Sequence, residues 1–208
     1  LPDVRTILCL GAHSDDIEIG AGGGVRKLVR DHPRARVVWV VLSASGTRAE
    51  EARASAARFL GENARHAVIL HEFRDGHFPH QWCAVKAAIE ALKPEEPDLV
   101  LTHHGGDHHQ DHRTVAELTW NTFRDHAILE YEIPKYDGGL GSPNVFVPAS
   151  EEDADFKIAT LLSCFASQGN KHWFDDLTFR GLMRLRGLEC RAPSGLAEAF
   201  YVRKLRLA

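Results

Sequence analysis

Four short apolar runs, set apart by helix-forming segments, limit what this chain can fold into more than any other feature of its sequence. The first is Thr6-Ile7-Leu8-Cys9-Leu10, inside a strand expected over residues 5–11; residues 36–42, 67–70 and 98–102 follow. Nearly unbroken apolar runs of this length suit strands covered on both faces, as in parallel sheets. Between them, Val25, Leu28 and Val29 form a helical stripe ending near Pro33. Residues 49–60 read as a helix capped by Thr47 and stopped by Gly61. Trp82, Val85, Ala88, Ile89 and Leu92 recur at helical spacing until Pro94, and a further helix starts near Asp111 and passes Thr122. Residues 127–133 read as a fifth strand and 134–148 as a Gly/Pro-rich loop with an edge strand at 144–147. Helices over 156–165 and 175–187 and a last strand over 197–202 complete the chain. Repeated strand–helix alternation predicts an α/β fold of three layers, a mostly parallel sheet with helices on both faces.

At 208 residues the chain fits a single domain, 1–208, with no linker and no internal repeat. A hydrophobic fraction of 44% and a formal charge of -4 describe an ordinary globular protein without the basic footprint of a nucleic-acid binder. No run is long and apolar enough to span a bilayer, and the start of the chain does not read as a signal peptide. Cys9, Cys83, Cys164 and Cys190 are scattered without a paired motif, so a cytoplasmic location with reduced thiols is expected, and homo-oligomer formation is left open.

Histidine is the unusual residue. Of 13, five (His103, His104, His108, His109, His112) fall within ten positions. Two constellations follow strand ends. After the first strand, His13 and Asp16 stand three apart at a strand-to-helix turn, a spacing that lets both point into one cavity as ligands for zinc. Asp15 lies between them and suits general-base work beside an activated water. After the fourth strand, His109-Gln110-Asp111-His112 offers His112 as a third ligand. Asp111 reads as the carboxylate that bonds and orients His109, which in protonated form would stabilise an oxyanion or protonate a leaving amine. His103, His104 and His108 read as solvated loop residues, and Asp107 as either a pocket residue or part of the Asp111 network. Gly20, Gly22, Gly23 and Gly24 resemble a dinucleotide-binding turn, but Val25 stands where its last glycine belongs, so close helix packing explains them better.

The two motifs together resemble those of the LmbE/PIG-L family of zinc-dependent N-deacetylases. Ala12-His13-Ser14-Asp15-Asp16 with the following glycines is similar to the family's A-H-P-D-D motif, and His109-Gln110-Asp111-His112 to its H-P-D-H motif. Leu60-Gly61, Asp75-Gly76 and Ala197-Glu198-Ala199-Phe200 extend the likeness over most of the chain. The resemblance implies a Rossmann-like fold and Zn2+ held by His13, Asp16 and His112, with Fe2+ or another divalent ion able to use the same N/O ligands. It also implies Asp15 as general base, His109 as oxyanion or acid group steadied by Asp111, and Arg53 as a substrate-contacting residue. The implied reaction removes an acetyl group from an N-acetylglucosamine-type conjugate, giving acetate and a free amine. A zinc amidase on a non-sugar substrate and a non-catalytic metal- or sugar-binding protein are the alternatives. Ser14 and Gln110 replace the family's prolines, and Ser43–Thr47 differs from its usual substrate loop. Of the aromatic residues able to stack on a sugar, Trp82 and Trp120 read as core. Tyr136 and the 168–174 stretch, with Lys171 and His172, read as pocket.

Overall fold

The computed structural model describes residues 4–61 and 65–205. Five parallel strands form most of one seven-stranded sheet: β1 (Thr6–His13), β2 (Arg36–Ser43), β3 (His66–Leu70), β4 (Leu99–His103) and β5 (Ala127–Tyr131). β6 (Val145–Pro148) and β7 (Ala197–Tyr201) add antiparallel pairs at one edge, giving the order β3-β2-β1-β4-β5-β7-β6. Side chains alternate across the pleat. Ile7, Cys9, Val37, Trp39, Val41, Leu99 and Leu101 face a core shared with α1 (Asp16–Asp31), α2 (Thr47–Leu60) and α5 (Glu151–Cys164). Leu8, Leu10, Val38, Val40, Leu42 and Val100 face a second core with α3 (Trp82–Glu90) and α4 (Gln110–Thr122). This double coverage explains the continuous apolar runs. The last helix, α6 (Asp176–Glu189), sends Phe179 into the first core and Met183 into a small cluster with Leu196.

Strand order reverses between β1 and β4: the chain winds outward from β1 through β2 and β3, then returns to place β4 on β1's other side. The carboxyl ends of neighbouring strands diverge at such a reversal and leave a crevice. His13 ends β1 and His103 ends β4 at that edge.

Several boundaries differ from the expectation. The glycines lie inside α1, which begins at Asp16 immediately after the acidic turn. Glycine there costs about 1 kcal/mol relative to alanine, and close packing provides the reason to keep it. A Cβ on Gly20 would fall 2.1 Å from the Tyr131 ring. Gly23 and Gly24 donate their N–H groups to the buried Glu198 carboxylate at 2.8 and 2.6 Å, while Lys157 Nζ donates to the Ile19 carbonyl and to Glu198 at 2.6 Å. Gly46, at φ 51°, rather than Thr47, caps α2, and Gly61 ends it as expected. Trp82 is 38% exposed rather than core, whereas Phe78 is fully buried. The four cysteines are unbonded. Among the described residues no helix is long and apolar enough to cross a membrane.

The Lys157–Glu198 pair is buried on both sides and stitches α5 and β7 to the backbone of α1. Removing one member strands a desolvated charge. Lys157→Met should destabilise the protein by about 3–5 kcal/mol, measured by equilibrium denaturant unfolding; a loss within experimental error would show that solvent reaches Glu198.

Candidate metal centre and cleft

His13, Asp16 and His112 meet although 96 residues separate the last two in the chain. The β1 register delivers His13 beside Ser43 of β2, α1 starts three residues later, and α4 starts at the same edge on the β4 side, with His112 in its first turn. His13 Nδ1 lies 3.2 Å from His112 Nε2 and 3.3 Å from Asp16 Oδ2, and His112 Nε2 lies 3.5 Å from Asp16 Oδ1. One ligand atom from each residue falls within 4.8 Å of the others.

The partners behind the two rings fix what they present. His112 Nδ1 is 3.0 Å from Asp107 Oδ2, so it carries the proton toward that carboxylate. His13 Nε2 faces Asp111 Oδ2 at 3.3 Å and Asp75 Oδ1 at 3.0 Å, so it is the protonated nitrogen in neutral His13. The lone pairs of His13 Nδ1 and His112 Nε2 then converge with a carboxylate, an arrangement that is repulsive until a cation or a proton enters it. This donor set fits a divalent ion of the zinc type. The electrostatics agree. Burial and the neighbouring His103 lower His112 to about 3. Burial lowers His13 too, but Asp16, Asp111 and Asp75 outweigh it and hold its pKa well above the ordinary imidazole value.

Asp15 is buried, and Arg48 Nη2 donates to its Oδ1 at 3.0 Å. Burial raises its pKa against the lowering pull of Arg48, and Asp16 adds to the rise. His109 caps the N-terminus of α4, and its Nδ1 accepts the Asp111 backbone N–H at 3.2 Å. The neutral ring therefore carries its proton on Nε2. Burial and the adjacent His13 push its pKa below the usual value.

The expected bond from the Asp111 carboxylate to the His109 ring is replaced by another arrangement. That carboxylate accepts from Gly76 N at 2.6 Å and Phe78 N at 3.0 Å and backs His13. The turn after β3 brings two backbone donors to it, a long-range contact the H-x-D-H spacing does not encode. Gln110 supports the same turn, donating to the Gly76 carbonyl at 3.2 Å where the family has a proline.

Arg53, the expected substrate contact, is not among the residues lining the cleft. It is exposed on α2, and Arg48 is the arginine that lines the cleft. Five residues of helix carry Arg53 about 7.5 Å farther from the sheet edge. His103 is fully buried rather than solvated: it stacks on His112 with centroids 3.9 Å apart, and its Nε2 sits 3.2 Å from Asp16 Oδ2. Its place at the end of a buried strand was the available signal. His104 pairs with Glu130, and His108 is exposed. Asp107 joins neither the pocket wall nor Asp111 but backs His112. The cleft, about 370 Å³, opens over His13, Asp15, Asp16 and His109; Lys135, Tyr136, Lys171 and Trp173 form its outer part. Trp82 and Trp120 lie outside it.

Comparison with known proteins gives this geometry a family. The model described as PIG-L, GlcNAc-PI de-N-acetylase, matches residues 8–123, a segment that contains both motifs. The Escherichia coli (strain K12) protein described as "Uncharacterized deacetylase YaiS" is 32% identical over 169 residues, spanning 76% of this chain and 89% of its own length. Diacetylchitobiose deacetylase of Thermococcus kodakarensis is 30% identical over 130 residues, 56% of this chain and 48% of that protein. The fold is shared with GalB, the 4-carboxy-2-hydroxymuconate hydratase of Pseudomonas putida KT2440, at TM-score 0.74 and 17% identity, covering 98% of each chain. With its motifs matched and three quarters of its length aligned to a close relative, the chain belongs to the PIG-L, GlcNAc-PI de-N-acetylase family.

Proposed function

We propose that the protein hydrolyses the acetamido group of an N-acetylated aminosugar conjugate, releasing acetate and a free amine, with zinc held by His13, Asp16 and His112. The deacetylase descriptions of the Escherichia coli and Thermococcus kodakarensis relatives support the reaction class. The observation that carries the reading is the convergence of two imidazole lone pairs and the Asp16 carboxylate beside Asp15, a buried acid whose pKa is raised. Zinc in that position supplies Lewis acidity toward water and toward the amide carbonyl.

The chain's own groups divide the remaining work. Asp15 takes the proton of the attacking water. Arg48 fixes its Oδ1 and leaves the other oxygen to act. A carboxylate tuned upward matches a base that must hold a proton and return it. His109 presents Nε2–H to the developing oxyanion as a neutral donor, because its Nδ1 is occupied by the α4 backbone. Neutral His109 would have to become imidazolate to give that proton away, so Asp15 is the better source for the departing amine. The aromatic and cationic outer cleft, with Trp173, Tyr136 and Lys171, offers a stacking surface for a sugar ring.

A screen of N-acetylglucosamine and N,N'-diacetylchitobiose conjugates should detect acetate and the matching amine by mass spectrometry, with turnover abolished by a chelator and restored by zinc. Chelator-resistant acetate release, or no release over the panel, contradicts the reading. Asp15→Asn should retain zinc and lose about 10²–10⁴-fold in kcat; His13→Ala should lose the metal itself. Zinc binding should also depend on pH with a definite stoichiometry. His13 is protonated in the metal-free protein because its pKa is raised, whereas His112, at about 3, is already neutral and Asp16 already ionised. Affinity should therefore rise about tenfold per unit between about pH 5 and 7, the slope for release of a single proton. A slope of two would place the proton balance elsewhere.

A further inference from the structure

Asp107 does three things at once. Its Oδ2 faces His112 Nδ1 at 3.0 Å and Lys135 Nζ at 2.6 Å, and its Oδ1 accepts the His109 backbone N–H at 2.7 Å. Lys135 comes from the segment after β5. A second bond, to the Ile133 carbonyl at 2.8 Å, holds its ammonium in place, and its side chain is only 13% exposed. It also lines the cleft. One buried oxygen is thus shared between a ligand imidazole and a fixed positive charge, an arrangement the motif residues alone do not require.

From this shared oxygen we infer that Lys135 is a positioning residue that restrains the pull of Asp107 on His112 and so keeps the metal centre electron-poor. A carboxylate behind a ligand imidazole raises the ring's basicity and its hold on a cation. A charge-assisted bond from an ammonium to the same oxygen withdraws part of that effect. The ammonium's own charge opposes a nearby divalent ion in a water-poor site. Both influences loosen the ion and leave it a stronger Lewis acid. The Ile133 carbonyl prevents the ammonium from swinging away. The inference rests on the zinc site proposed above.

Its signature is a change of opposite sign in two quantities. Lys135→Met should bind Zn2+ about 3- to 10-fold more tightly, read on metal-free protein by competition with a chromophoric chelator. The same variant should turn over N,N'-diacetylchitobiose with kcat about 10-fold lower and KM little changed. Lys135→Arg keeps the charge and the donors and should stay near wild type in both. A lysine that merely braces the loop would weaken zinc binding and turnover together; that result, or no change in affinity, overturns the inference while wild-type zinc binding leaves the proposed site standing. A wild-type protein that binds no Zn2+ removes both.

Discussion

A buried carboxylate ringed by imidazoles organises this molecule. Asp16 is 3% exposed and has His13, His103 and His112 within 3.5 Å, while the His13 backbone N–H donates to it at 2.6 Å. Burial alone would raise its pKa; His112, His103 and His13 reverse that and hold it well below the ordinary carboxylate range. A desolvated negative charge is tolerated only where such partners are assembled. Assembly requires the end of β1, the first turn of α1, the end of β4 and the first turn of α4 to occupy one corner of the sheet. The strand reversal between β1 and β4 provides that corner, and the packing of glycines in α1 against Tyr131 and Glu198 holds the helix close to it.

Around that carboxylate the rings are oriented from behind. Asp107 and Asp111 each set the tautomer of one histidine, and each is itself held, by Lys135 in one case and by the Gly76 and Phe78 amides in the other. Hydrolytic chemistry needs a cation that is bound but still electrophilic, a base that can take and return a proton, and a neutral donor for the oxyanion. On the reading proposed above, His13, Asp16 and His112 serve the first, Asp15 the second and His109 the third, and all five line one cleft. The shared fold of the hydratase GalB shows that the scaffold alone does not select the reaction.

Much of this was readable from the chain itself because the informative groups sit at strand ends. Apolar runs buried on both faces gave the parallel sheet, and polar residues immediately after them marked the edge where a site can form. The turn at His13–Asp16 is local, so its spacing carries real geometry. His103 was within reach of the same logic, since it ends a buried strand, whereas the placing of Asp111, Arg48 and Lys135 depends on contacts between distant segments. The Asp111 carboxylate bonds elsewhere than to the His109 ring because the loop after β3, more than thirty residues earlier, offers two backbone donors. Arg48 rather than Arg53 reaches Asp15 because the first turn of α2, not its middle, stands at the sheet edge. Lys135 follows the fifth strand, in a stretch whose composition reads only as loop. Neither periodicity nor motif spacing reports such pairings.

The most direct test of the central claim is an anomalous-scattering map from crystals of the zinc-loaded protein. The geometry predicts a peak about 2.0–2.2 Å from His13 Nδ1, His112 Nε2 and an Asp16 oxygen, with Asp15 adjacent but unligated. A well-occupied zinc peak elsewhere, with these three side chains bonded only to one another, would contradict it.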